Sequence, residues 1–580
     1  MKTTTFWASC VLLVSMLVGC QQEDLLQSAQ EEGKTHQRNQ SQSRMVEGLI
    51  PFTVDNVQAA LPIVLTYYRT NRPIVAEKFA HYQVEPTHVY YKFMPQDSIQ
   101  QARLMEAEDV LQLTTSPLEF SRTERTEDPV EDEIPVYYGI AKYNAAVPDV
   151  PHDVIAKLHF TDEDRLEDMQ ANYDEIEFKQ NLMYETRKIA GHLDDEELNE
   201  GYMNYEEGIQ DKNNGSGAAS RLFAKKWRPS GNIRVEEDIV RTNNSSKNHY
   251  EGVKRATVNV LKWGWLQVEQ GTTDGNGYFS TGTTYTKNVH YKVKFKHDYV
   301  TVKEGNFYNT ADYFSGEHKR APLNITFMKD GPLSHYHFFA LVHNASYDYY
   351  NRCLSKFGLH NPGKLNITAL YYGSNSNSGA QWYPFNSAIR VSRSSSGFYR
   401  GSDGIYATTV HELTHNSQRK MDPGMFSLLY SGNKQRKLMI ESWAEGVETI
   451  VTNDRYTSMF SSNGYGVYRS STRGTHASTL VWNGLRQHQS ISDMNAYTPL
   501  VIDLVDNFNQ SLVLNNPNIP NERVYGYTLA QIQTALNTSR TLDQWKGRLE
   551  SLYSNSTEPM LGDVFGYAQT VLSNSANWTD

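Results

Sequence analysis

The chain has 580 residues, more than a single hydrophobic core can organise, so several domains are expected. Apolar residues make up 39% and charged residues 21%, as in globular domains, and 66 acids against 55 bases leave none of the concentrated positive charge that nucleic-acid binding requires. The only cysteines are Cys10, Cys20 and Cys353, two of them near the N-terminus, which excludes a disulfide framework and a cysteine-based zinc site.

In chain order, Lys2 precedes an apolar run from Phe6 to Val18 that is too short to span a bilayer and reads as a signal peptide over residues 1–20. The run ends in Leu17-Val18-Gly19-Cys20, which resembles the lipobox of bacterial lipoproteins. The resemblance implies lipidation of Cys20, anchoring to the outer membrane of a bacterial envelope, and a membrane contact made by the lipid alone. Gln21-Gln22-Glu23-Asp24 is similar to the surface-export signal of Bacteroidetes lipoproteins, and the polar stretch over 21–50 is expected to be a flexible tether.

Residues 51–150 are expected to form a small α+β domain. Val89 to Phe93 and Val136 to Ile140 read as strands, and Asp97 to Leu111 as a helix capped by Asp97 or Ser98. Residues 151–225 are acidic and weakly helical; Asp194-Asp195-Glu196-Glu197 reads as a solvated helix face, and Asn213-Asn214-Gly215-Ser216-Gly217 as a linker. A β-rich unit is expected over 226–305. Its strands include Pro229 to Val235, Thr257 to Val260 and Tyr291 to Phe295, with a hairpin at Asp274-Gly275. The Thr272-to-Phe279 turn resembles that of carboxypeptidase-regulatory-like (transthyretin-like) β-sandwiches, which implies a module that presents a neighbouring enzyme. Residues 306–580 read as mainly helical, with a strand at Gln381 to Ser392 suited to pairing with an extended peptide. The expected class is therefore multidomain α+β.

His411-Glu412-Leu413-Thr414-His415 carries the chemistry. Residues i and i+4 of a helix lie one above the other, so the two imidazoles point at one place, and Glu412 beside them can take a proton from water at a metal. Tyr406 to Val410 leads into this helix, with Ser402 or Asp403 as its cap. A third protein ligand is needed to hold a catalytic Zn2+ with one position open. Gln418 and Met421 stand where a metzincin would have Gly and His, so the ligand is sought on the next helix, Leu438 to Thr452. That helix offers Glu441, Glu445 and Glu448 on roughly one face.

Glu441-Ser442-Trp443-Ala444-Glu445 resembles the Glu-x-x-x-Asp of neprilysin-like and thermolysin-like gluzincins, which implies Glu441 as ligand and the acid one turn later as the group steadying a ligand histidine. Trp443-Ala444-Glu445-Gly446 resembles the Asn-Glu-Gly of aminopeptidase-type gluzincins, which implies Glu445 instead. Tyr456, Tyr468 and His476 follow the glutamate helix, and Tyr456 and His476 are the candidate transition-state stabilisers. With Pro86 to Phe93 and Tyr497-Thr498-Pro499-Leu500-Val501-Ile502-Asp503-Leu504, these segments resemble largely uncharacterised Bacteroidetes lipoproteins carrying HExxH. His415-Asn416-Ser417-Gln418 is similar to enhancin-like, mucin-degrading metallopeptidases. The implied activity is zinc-dependent hydrolysis of peptide bonds in extracellular or envelope proteins or glycoproteins. The alternative is a surface lipoprotein that binds glycans or host matrix and keeps a vestigial or structural metal site. The 37 Tyr and 9 Trp suit it, whereas a structural site has no use for an unligated acid at Glu412.

Overall fold

The structure is a computed structural model, and it describes residues 50–114, 134–162, 169–193, 198, 201–202, 226–305, 310–373, 388–395, 398–426, 433–470, 495–514, 519 and 521–578. Cys10, Cys20, the acidic run 194–197, the linker 213–217, His476 and residues 381–387 lie outside the described residues. The architecture mixes helices with several separate sheets and contains no barrel among the described residues. No described helix is long and apolar enough to cross a membrane.

The N-terminal unit comprises α1 (Val54–Asn71), α2 (Pro73–Lys78), β1 (His88–Phe93), α3 (Ser98–Glu106), α4 (Glu108–Leu111), β2 (Tyr137–Lys142), β3 (His152–Leu158) and α5 (Met169–Ile189). Thr53 and Asp97 cap α1 and α3 by accepting from backbone amides three residues on. The antiparallel order is β2-β1-β3. Alternation along β1 sends Val89, Tyr91 and Phe93 to one core with Leu104 and Leu111, and Tyr90 to another beneath α1 and α5. The unit continues past residue 150. Most of β3 is solvent-exposed, so its sequence lacks the alternation that marks a half-buried strand.

Eight strands follow: β4 (Ser230–Glu236), then α6 (Asp238–Asn243), β5 (Tyr250–Gly252), β6 (Thr257–Lys262), β7 (Leu266–Thr272), β8 (Tyr278–Ser280), β9 (Asn288–Lys294), β10 (Val300–Glu304) and β11 (Asp312–Phe314). Two more, β12 (His318–Lys319) and β13 (Leu323–Phe327), complete two sheets. One has the order β11-β9-β6-β7 with β12 also on β9; the other has β13-β4-β5 with β8 also on β4. The Asp274 turn forms, with Asp274 Oδ1 accepting from Asn276 N and Tyr278 N. It is a corner between sheets instead of the expected hairpin, because β7 pairs with β6 while β8 pairs with β4. The tight hairpin is β6–β7, where Lys262 pairs with Leu266 and, in the three-residue loop between them, Trp263 and Gly264 both take positive φ (57° and 80°). Its tip docks on the N-terminal unit, Trp263 stacking on Phe52 at 4.0 Å.

The remainder comprises α7 (Ser334–Asp348), which runs through a π-turn (Tyr349–Cys353) into α8 (Leu354–Phe357), then β14 (Leu365–Leu370), β15 (Ala388–Ser392) and the small hairpin β16 (Ser394–Ser395) and β17 (Phe398–Tyr399). The helices α9 (Ser402–Met421), α10 (Lys434–Ser462), α11 (Leu500–Val505), α12 (Gln510–Leu514), α13 (Leu529–Leu536), α14 (Leu542–Leu552) and α15 (Leu561–Ser573) follow. Strand β10 joins β14 and β15 in a parallel sheet with β15 at its edge. The region past residue 306 thus holds more strand than the single short segment expected, and one continuous core runs from Ile233 to Trp578. The β-rich and helical parts share this core because β10, β11 and β13 cross between them.

Candidate metal centre

Helix α9 is buried along nearly its whole length from Ser402 to Gln418. Thr409 and Thr414 satisfy their buried hydroxyls by donating to the carbonyls of Ile405 and Val410. Gly401 occupies the cap position in place of Ser402 or Asp403. Those two residues do other work. Ser402 N donates to Asp238 Oδ1, and Ser402 Oγ accepts from Ile239 N, which fixes the helix start to α6, just past β4. Asp403 accepts from the Tyr468 hydroxyl.

Helix α10 packs along α9 and is held by buried charges at its far end. Arg455 bonds Glu237 at 2.7 Å and Glu251 at 3.0 Å, and the Tyr456 hydroxyl donates to Glu237. Nearer the site, Ser442 Oγ lies 2.7 Å from Thr498 Oγ1 and accepts from Thr498 N. This anchor brings the chain 56 residues on against the middle of α10.

Three ligand atoms converge between the two helices. His411 Nε2 and His415 Nε2 are 2.9 Å apart, and Glu441 Oε2 lies 3.3 Å from the second and 3.5 Å from the first. A circle through points 2.9, 3.3 and 3.5 Å apart has a radius of about 1.9 Å, close to zinc–ligand bonds of about 2.0–2.2 Å, so one ion reaches all three together. Two imidazoles and one carboxylate are the donor set of an open catalytic site, and the residues fit the ion. The three side chains are the first of two groups among the described residues able to hold a metal; His411 with Glu445 and Glu448 is the other. The first uses both histidine Nε2 atoms, which favours Glu441 over Glu445.

His411 Nδ1 lies 2.9 Å from Glu448 Oε2. This carboxylate fixes the ring orientation and places the proton on Nδ1, leaving Nε2 free for the metal. The orienting acid therefore comes two turns after Glu441, in place of Glu445 one turn after it. Electrostatics follow from the crowding. Burial alone would lower the His411 pKa, but hydrogen bonds and charge from Glu441 and Glu448 raise it well above its usual value. Burial lowers that of His415. Burial would raise Glu441, yet His415 and His411 hold its carboxyl below the usual range. Glu412 belongs to neither group. Burial, reinforced by Glu441 and Glu448 against His411, pushes its carboxyl up to about 8, and its Oε2 has no hydrogen-bond partner. A buried carboxyl held next to three ligand atoms with a pKa near neutrality is suited to general acid–base work.

Tyr497 lies beside His411 and was not singled out as a functional side chain by the sequence. Its ring centroid lies 6.1 Å from that of His411. Arg400, just ahead of α9, sits within electrostatic reach of Glu448 and Glu412. Tyr456 is not a transition-state stabiliser: it is fully buried on Glu237, about 22 Å along α10 from Glu441. Tyr468 is likewise turned away, onto Asp403. Burial, with Asp348 beside it, pushes the Cys353 thiol up to about 12, which rules out a thiolate nucleophile. No family model and no curated protein matches this chain.

Proposed function

We propose that the chain is a zinc metallopeptidase of the gluzincin kind that hydrolyses peptide bonds in extracellular or envelope proteins or glycoproteins. One observation carries this reading: His411 Nε2, His415 Nε2 and Glu441 Oε2 meet at one point while Glu412 stands beside them, buried and unligated. When bound, zinc acidifies water and polarises the scissile carbonyl. Glu412 accepts the proton of the attacking water on its free Oε2 and passes it to the leaving amine. Glu448 keeps His411 in the required tautomer. Tyr497, beside His411, is the residue placed to donate to the developing oxyanion. Strand β15 at the sheet edge supplies a backbone ladder for an extended substrate.

In the same reading, Cys20 carries the lipid that holds the enzyme at the outer membrane, and the strands around β4 and β9 are a transthyretin-like module supporting a mainly helical catalytic domain. The test is the zinc content of a purified fragment beginning after Cys20, compared with the same fragment carrying Glu441→Ala. Close to one zinc per chain, lost in the variant, supports the site; zinc retained in the variant moves the ligand to Glu445. No zinc after loading at neutral pH sinks the peptidase and promotes a glycan- or matrix-binding lipoprotein. Glu412→Gln separates the roles, since it is expected to keep zinc and lose hydrolysis of a peptide library.

A further inference from the structure

Arg400 is the last residue before the Gly401 cap of α9, and its backbone is tied to the hairpin that precedes it. Its N donates to the Arg393 carbonyl oxygen at 3.0 Å, beside the β16–β17 pair of Ser394 and Tyr399. The Arg393 guanidinium is in turn held over the Tyr371 and Tyr399 rings, 4.2 Å from each centroid. From this anchor the Arg400 side chain reaches into α9, where Nη1 donates to Thr408 Oγ1 at 3.0 Å. Thr408, His411, Glu412 and His415 stand at i, i+3, i+4 and i+7, on one face of the helix. The guanidinium therefore lies about one helical turn, roughly 5.4 Å, ahead of the first two residues of the metal group.

Among the described residues, that neutral hydroxyl is the side-chain partner Arg400 has. Its Nε is buried without a hydrogen-bond partner, so the Nε–Nη2 edge, the side-on fork of the guanidinium, carries no protein bond. Glu448 and Glu412 act on Arg400 through space without bonding it, and Glu448 directs its oxygen at His411. Burial weighs against the charge and holds its pKa below the usual value. A guanidinium nevertheless keeps its proton in a protein, so the charge stays. A partly buried charge with no bonded counter-ion is costly to the fold alone. An incoming anion would complete it, and the free edge matches the two oxygens of a carboxylate.

We propose that Arg400 binds a substrate carboxylate on the residue next to the scissile bond, supplied by a free C-terminus or by an Asp or Glu side chain. Consecutive Cα atoms are about 3.8 Å apart, so a carboxylate one residue from a carbonyl at the metal point falls within reach of a guanidinium one turn away. The proposal rests on the peptidase reading and makes Arg400 a specificity-determining residue of that same site.

Four probes separate the two carboxylate sources. Acetyl-Ala-Asp carries both carboxylates, acetyl-Ala-Asn the C-terminal one, acetyl-Ala-Asp-amide the side-chain one, and acetyl-Ala-Asn-amide neither. Their affinities for the full-length, zinc-free chain are measured by saturation-transfer NMR, because a carboxylate can also ligate zinc. One of the single-carboxylate probes is expected to bind about 10–100-fold more tightly than the neutral one, and its identity names the source. Arg400→Gln brings that ratio close to one, and Arg400→Lys, which keeps the charge and loses the fork, retains part of it. Thr408→Val removes the hydroxyl that aims the guanidinium; it lowers the ratio and serves if the Arg400 variants fail to fold. Equal affinity for all four probes in the wild type, or a preference that survives Arg400→Gln, overturns the proposal. On the zinc-loaded chain, kcat/KM for peptides bearing the favoured carboxylate beside the cleaved bond should exceed that of their amide counterparts by a similar factor. Hydrolysis without that preference overturns the proposal and spares the peptidase. The binding preference without hydrolysis of any peptide sinks the peptidase and leaves Arg400 as a carboxylate site.

Discussion

Glu448→Ala removes the acceptor 2.9 Å from His411 Nδ1. The imidazole then loses the bond that selects its tautomer and ring orientation, and Nε2 is no longer held at the point shared with His415 and Glu441. Removing such an orienting partner weakens metal binding by about 10–100-fold, equivalent to about 1.4–2.7 kcal/mol. Glu448→Gln retains an acceptor oxygen and gives up only the charge, so its loss falls at the lower end. Glu441→Ala deletes a ligand outright and is expected to cost more than either. The assay is competition for zinc against a chromophoric chelator at fixed pH, with the unfolding midpoint of each variant as a check on folding. Unchanged affinity in Glu448→Ala would refute the orienting role. A loss equal to that of Glu441→Ala would instead make Glu448 a ligand and favour the alternative group of His411, Glu445 and Glu448.

Above about pH 6.5, where unfolded histidines are already neutral, Glu412 and His411 make the zinc-free chain less stable as pH rises. Glu412 titrates at about 8 folded against its usual 4.5, and His411 well above 6.5. Both therefore bind more protons folded than unfolded, and the stability this gives is complete below their unfolded values and lost as pH rises through the folded ones. Zinc binding strengthens over the same interval because its ligands must be unprotonated. The midpoint difference between zinc-loaded and EDTA-treated chains should widen from about pH 6 to 9; a constant difference contradicts this. Gly446→Ala places a Cβ 2.4 Å from Val501 Cβ. The helix gains about 0.5–1 kcal/mol in propensity and loses about 1–3 kcal/mol to overpacking. A lower midpoint is expected, partly restored by Val501→Ala; a higher one refutes the close approach. Arg455→Met strands Glu237 without its cation, which costs about 3–5 kcal/mol in urea unfolding, with Glu237→Gln recovering part of the loss. Additive effects of these two substitutions would show that the pair is not coupled.

What could be read from the sequence was whatever one element contains. His411 and His415 share a single helix, so their convergence follows from spacing alone, and Glu412 comes with them. The three glutamates of α10 were recognisable as one acidic face for the same reason. Spacing alone does not choose among them, because the choice depends on how α10 is rotated against α9, and tertiary anchors such as Arg455 on Glu237 and Ser442 on Thr498 help set that rotation. A resemblance at Glu441-Ser442-Trp443-Ala444-Glu445 pointed to Glu441, whose carboxylate does lie beside both Nε2 atoms, and to Glu445 as the orienting acid, whereas Glu448 is the one bonded to His411. Glu448 takes that role only because His411 Nδ1 points two turns down the neighbouring helix. Tyr497 reaches the site through a bond between residues 442 and 498 that no local pattern announces.

The strands show the same limit. Asp274-Gly275 does form a turn, but pairing is a property of partners distant in sequence, and β8 finds β4 in place of β7. Likewise β10 leaves the sheets around it to run parallel to β14, which ties the β-rich part and the helices α9 and α10 into one core. A boundary at residue 305 therefore divides the composition of the chain and not its packing. The consequence for function is direct. Asp238, the first residue of α6 just past β4, holds the first amide of α9, and Glu237 between the two elements holds Arg455 of α10. The β4–α6 junction, in the part that the sequence assigned to a supporting module, thus fixes the relative position of the two helices whose side chains would share the metal.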